Sequence, residues 1–431
     1  MRLIQIRQSE FLRNSAKLVA GTAIAQAISF LVTPMITRLY TPQDVGVFTF
    51  FISIAGGLGL IATLRYEMAI VPAKEEKDSV NVAFLSLFIA FAVCLLLAIL
   101  ILIVNVAFSP SILNHPVYRQ WVWFLPFMVF LVAAGNVFQQ WYNRKKEYRT
   151  LAVAKVINSA GNNMLTLYLG FVGLGVWGLL LGNFVGILVF NFFFTLGIIL
   201  RYRQSLHCFD FASQKQLVTS YRDLPLANTP QVLVELVQVY GVIFLLQAFF
   251  SSEIVGWYSL SQRLMQAPMT LIGTSFAQVF YKDASEKYFH DEPLTGLVRK
   301  TIKTAAIVAF LPMVLMLALG PWLISLVFGS AWEEAGVYSR ILAPWMFFDF
   351  IRASISYTPI IVGKTRTMFY ISLAGAMLMI AQVCLGGILF QSITTGLILL
   401  SATLSLYSIG VILWILSSVK RKPGAESGLT P

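Results

Sequence analysis

Arg263 is an ionisable side chain inside an apolar stretch, where a charge is costly and therefore informative. Gln266, Thr270 and Thr274 follow it at helical spacing and are expected to share its face. A guanidinium can bind phosphate through two donors, so this polar stripe suits a pyrophosphate or an acidic sugar. An arginine that extends to the lipid headgroups is the alternative, and both readings stay open.

Arg352 is the second cationic candidate, and it follows Asp349 by three residues, with Ser356 on the same face. The two charges can neutralise each other inside the membrane body. Alternatively, Arg352 lines a cavity and is held there by its own carboxylate. In that case Asp349 is also a candidate for coupling transport to an ion gradient.

Glu235 shares a helical face with Asn228, Gln231 and Gln238. Burial raises the pKa of a carboxyl group, so a buried Glu235 could carry a coupling proton, or it could bind Na⁺. The structural alternative is that Glu235 partners a nearby cation.

Lys155 begins an amide-rich face that continues through Asn158, Ser159, Asn162 and Thr166. Such a face suits sugar hydroxyls, although polar stripes also serve close helix packing. A second stripe lies on the first helix, and there we expect a mainly structural role; its members are Thr22, Gln26, Ser29 and Thr33.

Arg65 is a further candidate substrate contact, with Glu67 two residues later. On a regular helix these two side chains point apart. The preceding run Gly56-Gly57-Leu58-Gly59 can distort the helix and change that geometry.

The elements that position these residues follow from composition. Of 431 residues, 58% are hydrophobic and only 12% are charged, whereas soluble domains are about 25% charged. We therefore predict an all-α integral membrane protein with no soluble enzymatic domain and no catalytic residues. The three cysteines and three histidines have no ligand-like spacing, so we expect neither a metal site nor a cofactor.

Twelve segments are apolar and long enough to cross a bilayer. They lie near 16–37, 45–72, 80–108, 121–141, 150–171, 176–200, 225–250, 256–280, 301–328, 337–362, 368–390 and 394–418. Nearly all Lys and Arg residues fall in alternate loops, and the opposite loops hold only Arg38, Arg119 and Arg340. This asymmetry predicts cytoplasmic N- and C-termini, and it explains the net charge of +12 without nucleic acid.

The chain repeats itself after roughly 210–220 residues. The tract 40–48, YTPQDVGVF, opens the second segment, and the tract 251–258, SSEIVGWY, opens the eighth. We therefore predict two parallel six-helix bundles over 1–215 and 216–418, followed by a cytoplasmic tail over 419–431. Transporters with such halves place the substrate between them and rock one against the other.

Two tracts resemble bacterial polysaccharide biosynthesis proteins: RLYTPQDVG (38–46) with LRYEMAI (64–70), and GPWLISLVFG (320–329) with WEEAG (332–336). These proteins are O-antigen and capsule-unit flippases of the multidrug/oligosaccharidyl-lipid/polysaccharide exporter superfamily. The resemblance implies a fold like that of the multidrug and toxin extrusion proteins. It also implies a multi-pass protein of the bacterial inner membrane.

The implied substrate is an oligosaccharide on undecaprenyl pyrophosphate, which would cross from the cytoplasmic to the periplasmic leaflet. H⁺ or Na⁺ would be the coupling ion. Membrane lipid would surround the protein, and a polysaccharide polymerase would be a partner. Related flippases use cavity arginines, including one on the eighth helix, whose nearest counterpart is Arg263. The rivals are a cation or drug exporter of the same fold, a membrane polymerase or glycosyltransferase, and a scaffold for other polysaccharide enzymes.

Overall fold

The computed structural model describes residues 2–107, 121–268 and 272–420, and every regular element within those ranges is a helix. The α-helices are α1 (Arg2–Leu39), α2 (Pro42–Ile61), α3 (Glu76–Ala107), α4 (Leu125–Arg144), α5 (Tyr148–Phe171), α6 (Val176–Arg201), α7 (Arg203–Leu206), α8 (Ala212–Ser220), α9 (Thr229–Phe249), α10 (Ser252–Pro268), α11 (Thr274–Phe289), α12 (Thr295–Phe328), α13 (Glu333–Ser354), α14 (Thr358–Ile361), α15 (Thr365–Ile388) and α16 (Ile393–Lys420). Short 3₁₀ turns span Tyr66–Ala69, Val122–Phe124 and Ser330–Trp332, and a π-type turn spans Leu224–Asn228.

The protein is a multi-pass helical membrane protein. Eight helices in the described ranges are long and apolar enough to cross a membrane, and a ninth span is formed if the bent pair Leu224–Val237 and Val239–Phe249 counts as one. The helices α5, α10 with α11, and α13 occupy the other three predicted segments. These are the helices that carry Lys155, Arg263 and the Asp349–Arg352 pair. The more polar helices are therefore the ones on which the candidate residues lie.

The two repeated tracts begin α2 and α10 with side-chain caps. At the start of α2, the Thr41 hydroxyl and backbone N–H both donate to Asp44 Oδ2, at 2.7 and 3.0 Å, and the Asp44 N–H donates back to Thr41 Oγ1 at 3.2 Å. This reciprocal pairing satisfies donors that a helix start leaves open. At the start of α10, Ser251 Oγ accepts from the Ile254 N–H at 3.4 Å.

The repeated glycines make the two helix starts pack directly on each other. A Cβ added at Gly46 would overlap the carbonyl oxygen of Ser252, and one added at Gly256 would overlap the carbonyl oxygen of Pro42. Only a residue without a side chain permits this backbone approach. Each repeat therefore supplies the glycine that the other repeat's backbone needs.

The chain forms two compact units. Unit 1 comprises Met1–Tyr40 and Phe48–Tyr240, and unit 2 comprises Thr41–Val47 and Gly241–Pro431. In unit 1, α5 packs between α1 and α6, and α4 packs on α3 and α6. In unit 2, α13 packs on α10, α12 and α16, with α15 beside α16.

The connection after α6 is folded onto unit 1. Lys77 pairs with Asp210 at 3.2 Å, and the Asp210 N–H donates to Asn81 Oδ1 at 2.8 Å. The Tyr66 hydroxyl donates to the Val218 carbonyl at 3.2 Å. The loop predicted over 201–224 therefore contains α7 and α8 and docks on the end of α3.

One predicted segment is shorter in the structure than in the sequence pattern. The segment predicted over 45–72 ends as a helix at Ile61, because Leu64 and Arg65 take positive φ values of 49° and 65°. The segment predicted over 256–280 includes α10 up to Pro268 and α11 from Thr274, and residues 269–271 between them lie outside the described residues. The division predicted at Gly173 and Gly175 is confirmed, since their φ values of 82° and 52° end α5 and start α6.

Candidate functional site

A cavity of about 400 Å³ lies within unit 2, between α13 and residues of α10 and α11. This volume is within the range of about 300–1,000 Å³ that small-molecule sites occupy. Its polar and aromatic lining comes from Gln266, Gln278, Trp345, Asp349, Ser356 and Tyr357, and Gly273, Ala277, Met346 and Ala353 complete it. Gln266 of α10 and Gln278 of α11 therefore line the same cavity.

Asp349 connects this cavity to Arg352. The Nε and Nη2 atoms of Arg352 both donate to Asp349 Oδ1, at 2.8 and 2.6 Å. The two side chains are 24% and 21% exposed, so the pair is neither buried nor fully solvated. Each of the two interpretations of the sequence therefore holds in part. The charges of Asp349 and Arg352 neutralise each other, and a cavity is present, but it is lined by the carboxylate of Asp349 and not by Arg352.

Arg263 and Gln266 lie on α10, one turn apart, and both are exposed in the structure. Gln266 donates from Nε2 to Gln262 Oε1 at 2.9 Å, and Gln262 donates from Nε2 to the Tyr258 hydroxyl at 2.6 Å. This chain of hydrogen bonds runs along one face of α10 and fixes the amide that reaches the cavity. Of the stripe predicted to follow Arg263, Thr270 lies outside the described residues.

Sequence reasoning missed three polar or aromatic cavity residues: Gln278, Trp345 and Tyr357. Trp345 precedes Asp349 by four residues on α13, so helical spacing places both on one face and could have indicated it. Gln278 follows Thr274 by four residues, so extending the stripe predicted after Arg263 by one turn could have indicated it. Tyr357 follows the end of α13, where the helical pattern no longer applies.

The α5 candidates lie at helix–helix contacts in unit 1. Lys155 Nζ donates to Thr22 Oγ1 on α1 at 3.2 Å. On the adjoining face, a Cβ at Gly186 of α6 would lie 2.9 Å from Asn162 Cβ and 3.1 Å from Asn158 Oδ1. These three side chains are half-buried, and the structure does not bring them to the unit 2 cavity.

The stripe on α1 has the structural role predicted for it. Ser29 Oγ lies 3.0 Å from Ser159 Oγ and accepts from Asn163 Nδ2 at 3.0 Å. Ser159 in turn donates to the Ala25 carbonyl at 2.7 Å. These hydrogen bonds join α1 to α5 along two facing polar stripes, as expected where close packing replaces the hydrophobic effect in lipid.

Arg65 and Glu67 pair in unit 1, because the helix that would have separated them ends at Ile61. Arg65 Nη1 lies 3.1 Å from Glu67 Oε1, and Arg65 Nε donates to Asn228 Oδ1 at 3.0 Å. The Thr63 hydroxyl donates to the other carboxylate oxygen. The geometry of a regular helix therefore does not hold here, and the alternative of a distorted helix does, although the departure lies at Leu64 and Arg65 and not at the glycine run.

Glu67 is buried, at 1% exposure. Burial in the turn between α2 and α3 raises the pKa of its carboxyl above the ordinary value, although the Thr63 and Arg65 contacts oppose that rise. Arg65 therefore contacts Glu67 and Asn228, and Glu67 also accepts from Thr63.

Glu235 is exposed rather than buried, and it accepts a hydrogen bond from Gln231 Nε2 at 3.2 Å. The premise of a buried carboxyl at this position was therefore wrong. In the described part of the chain, no three His, Cys, Asp or Glu side chains lie close enough to hold a metal ion.

The sequence model of a family described as "Polysaccharide biosynthesis protein" matches residues 35–337, which is well over half of the chain. The chain belongs to this family. The match begins just before the Thr41 cap and ends within the first turns of the Glu333–Ser354 helix. It therefore covers Arg65, Lys155, Glu235, Arg263 and Gln266, and ends before Trp345, Asp349 and Arg352.

A curated relative of this polysaccharide biosynthesis protein is the succinoglycan biosynthesis transport protein ExoT of Rhizobium meliloti (strain 1021). The two are 21% identical over 370 residues, which is 84% of this chain and 71% of the relative. The relative is named as a transport protein.

Solved structures share the fold at low identity. An inward closed structure of the lipid II flippase MurJ matches with a TM-score of 0.69 at 13% identity, covering 94% of this chain and 87% of that one. An inward-facing multidrug resistance MATE transporter of the MOP superfamily matches with a TM-score of 0.66 at 14% identity, covering 92% and 95%. The family member therefore has the MATE and MurJ fold, as its sequence predicts.

Proposed function

We propose that this chain translocates oligosaccharides linked to undecaprenyl pyrophosphate across the bacterial inner membrane. Membership of the polysaccharide biosynthesis family carries this proposal. A transport protein for succinoglycan among its relatives, and the fold it shares with a lipid II flippase, support it. The chain acts as a flippase and not as an enzyme: it moves its substrate by alternating access and makes or breaks no covalent bond.

The roles of the residues follow from their chemistry. Arg263 contacts the pyrophosphate, because it is an exposed guanidinium one turn from the cavity residue Gln266. Arg352 positions Asp349 through two hydrogen bonds. A carboxylate, Glu235 or Asp349, couples transport to an H⁺ or Na⁺ gradient. Four further candidates contact the headgroup only if their contacts within the protein break during transport: Arg65, Lys155, Asn158 and Asn162.

The test uses a strain that lacks its own flippase and carries this gene with its glycosyltransferases. Wild-type protein should restore surface polysaccharide, and Arg263→Ala should lower it by about tenfold or more, as expected when a charge-assisted contact is lost. Arg263→Lys should retain part of the activity. Arg366→Ala, which removes an exposed arginine elsewhere in unit 2, is the matched control. Equal polysaccharide in all four strains, at equal protein abundance, would refute the proposal for Arg263.

A second candidate function is cation or drug export, which the fold of the multidrug MATE transporter favours. The Asp349 carboxylate in the cavity is the group that would bind a cationic drug. This candidate predicts that the gene raises the tolerance of a drug-sensitive strain to cationic dyes. It also predicts that Asp349→Asn abolishes that tolerance while surface polysaccharide remains unaffected.

A further inference from the structure

The unit 2 cavity combines apolar residues and the Ser356 hydroxyl with three kinds of side chain that can bind a ligand. Two aromatic rings, Trp345 and Tyr357, line it together with the amides of Gln266 and Gln278 and the carboxylate of Asp349. Small polar sites commonly combine an apolar wall with a few placed hydrogen-bonding groups. Neither arginine proposed to meet the substrate in this unit lines this cavity.

The charge of the cavity argues against a phosphate occupant. Asp349 accepts both Arg352 hydrogen bonds on Oδ1, so the arginine is directed at one carboxylate oxygen. Within the described residues, Oδ2 accepts no hydrogen bond from the protein. The pair is neutral overall, and its outer oxygen is an acceptor that attracts hydroxyl donors and repels anions.

The two aromatic rings are held in place by their neighbours. Trp345 packs against a buried cluster that includes Val242, Leu246 and Leu342. The Tyr357 ring lies 5.0 Å from the Tyr281 ring, measured between centroids. Rings fixed in this way offer apolar faces at little further cost in conformational entropy.

A sugar ring has the complementary pattern. One face of a pyranose presents C–H groups, which pack against an aromatic ring, and its rim carries hydroxyls that both donate and accept. Carboxylate Oδ2 accepts from such hydroxyls, and each glutamine amide can donate and accept. A diphosphate offers acceptors alone and carries charge of the same sign as Asp349.

We propose that this cavity binds a neutral sugar ring of the transported glycan, with Tyr357 and Trp345 packing on the ring and Asp349 Oδ2 accepting from its hydroxyls. This inference rests on the proposed function for the origin of the glycan, but the binding can be measured without transport. It separates the headgroup into two contacts, a sugar in the cavity and a pyrophosphate near Arg263.

The experiment is saturation-transfer difference NMR on the full chain purified in detergent. The probes are the methyl glycosides of glucose, galactose, mannose and N-acetylglucosamine, together with sodium glucuronate and inorganic pyrophosphate as anionic competitors. The variants are Tyr357→Leu, Tyr357→Phe, Asp349→Asn and the control Tyr288→Leu. Tyr288 and Tyr357 are equally exposed, at 37%, but only Tyr357 lines the cavity.

We expect at least one neutral glycoside to bind wild-type protein, with the strongest transfer at its C–H protons. Tyr357→Leu and Asp349→Asn should each weaken that binding by about tenfold or more, since a packed ring or a charge-assisted hydrogen bond is lost. Tyr357→Phe and Tyr288→Leu should bind as wild type does. Tyr357→Leu keeps the test valid should Asp349→Asn lower the yield of folded protein.

Three results would overturn the inference: no neutral glycoside binds, the binding survives both Tyr357→Leu and Asp349→Asn, or pyrophosphate displaces the sugar. A failure of the proposed function looks different, because sugar binding would persist while the strain assay shows no restored polysaccharide. Intact transport without any sugar binding would refute the cavity assignment alone.

Discussion

The two units each contain an arginine–carboxylate pair. The pairs differ in how far they are exposed and in whether a cavity reaches them. In unit 1, Arg65 and Glu67 are 11% and 2% exposed, and Thr63 and Asn228 take up further hydrogen-bonding groups. In unit 2, Asp349 and Arg352 are 21% and 24% exposed, and Asp349 lines a cavity. A closed pair stabilises a turn, whereas an open pair can exchange a protein contact for a ligand.

The largest expected effect is on stability, and it separates the two pairs. Glu67→Ala leaves a buried arginine without its carboxylate, which costs about 3–5 kcal/mol. Asp349→Ala should cost clearly less, because water reaches that pair. Thermal unfolding of the purified variants, followed by tryptophan fluorescence, measures the difference. Equal losses of stability would contradict the distinction between a closed and an open pair.

The next effect is on transport. Here the unit 2 pair should matter more than the unit 1 pair, the reverse of the order expected for stability. A neutral double variant of the unit 2 pair, Asp349→Asn with Arg352→Gln, should lower surface polysaccharide by about tenfold at equal abundance, through the lost charge-assisted contact. The matched variant of the unit 1 pair, Glu67→Gln with Arg65→Gln, should transport nearly as wild type per folded molecule. Transport lost only in the unit 1 variant would instead make Arg65 a substrate contact.

A smaller effect is expected in the polar stripe between α1 and α5. Asn163→Leu removes hydrogen bonds to Ser29 Oγ and to the Ser159 carbonyl, the latter at 2.6 Å. Such bonds between membrane helices contribute about 0.6 kcal/mol on average and up to about 1.7 kcal/mol. We expect a loss of stability in that range with transport retained, measured by the same unfolding and polysaccharide assays. Full stability together with lost transport would show that the stripe serves the substrate.

The smallest effect is a pH dependence of stability that the closed pair should show. Because burial raises the pKa of folded Glu67 above its ordinary value of 4.5, the native state holds its proton to higher pH than the unfolded state. This contribution to stability is complete below about 4.5 and is lost as pH rises through the folded pKa. Glu67→Gln should flatten the fall, whereas Glu253→Gln, at an exposed site, should not. An unchanged pH profile in Glu67→Gln would refute the assignment.

The helical period in the sequence identified part of the candidate site. It placed Asp349 with Arg352 on α13, and Arg263 with Gln266 on α10, because residues three and four apart share a helix face. It also found the α1 and α5 stripes, which proved to face each other. Periodicity cannot tell whether a polar face meets another helix, lipid or a cavity. Lys155 and Arg263 were therefore both predicted to contact the substrate.

The breaks in helices were harder to predict than the helices. The Leu64–Arg65 turn puts two non-glycine residues at positive φ, which is uncommon and has no strong local signal. That turn brings Arg65 to Glu67 and to Asn228, which is 163 positions from Arg65. Packing between distant segments therefore decides the local backbone at this turn.

The sequence by itself determined that this chain is a helical membrane protein. Apolar runs of membrane length, in a chain with 12% charged residues, allow no soluble fold, and the caps and glycines recur at one offset. Only the tertiary structure decided which polar side chains satisfy one another and which line a cavity. That choice depends on contacts between segments far apart in the chain, and the hydrogen-bonding capacity of a single helix face does not specify them.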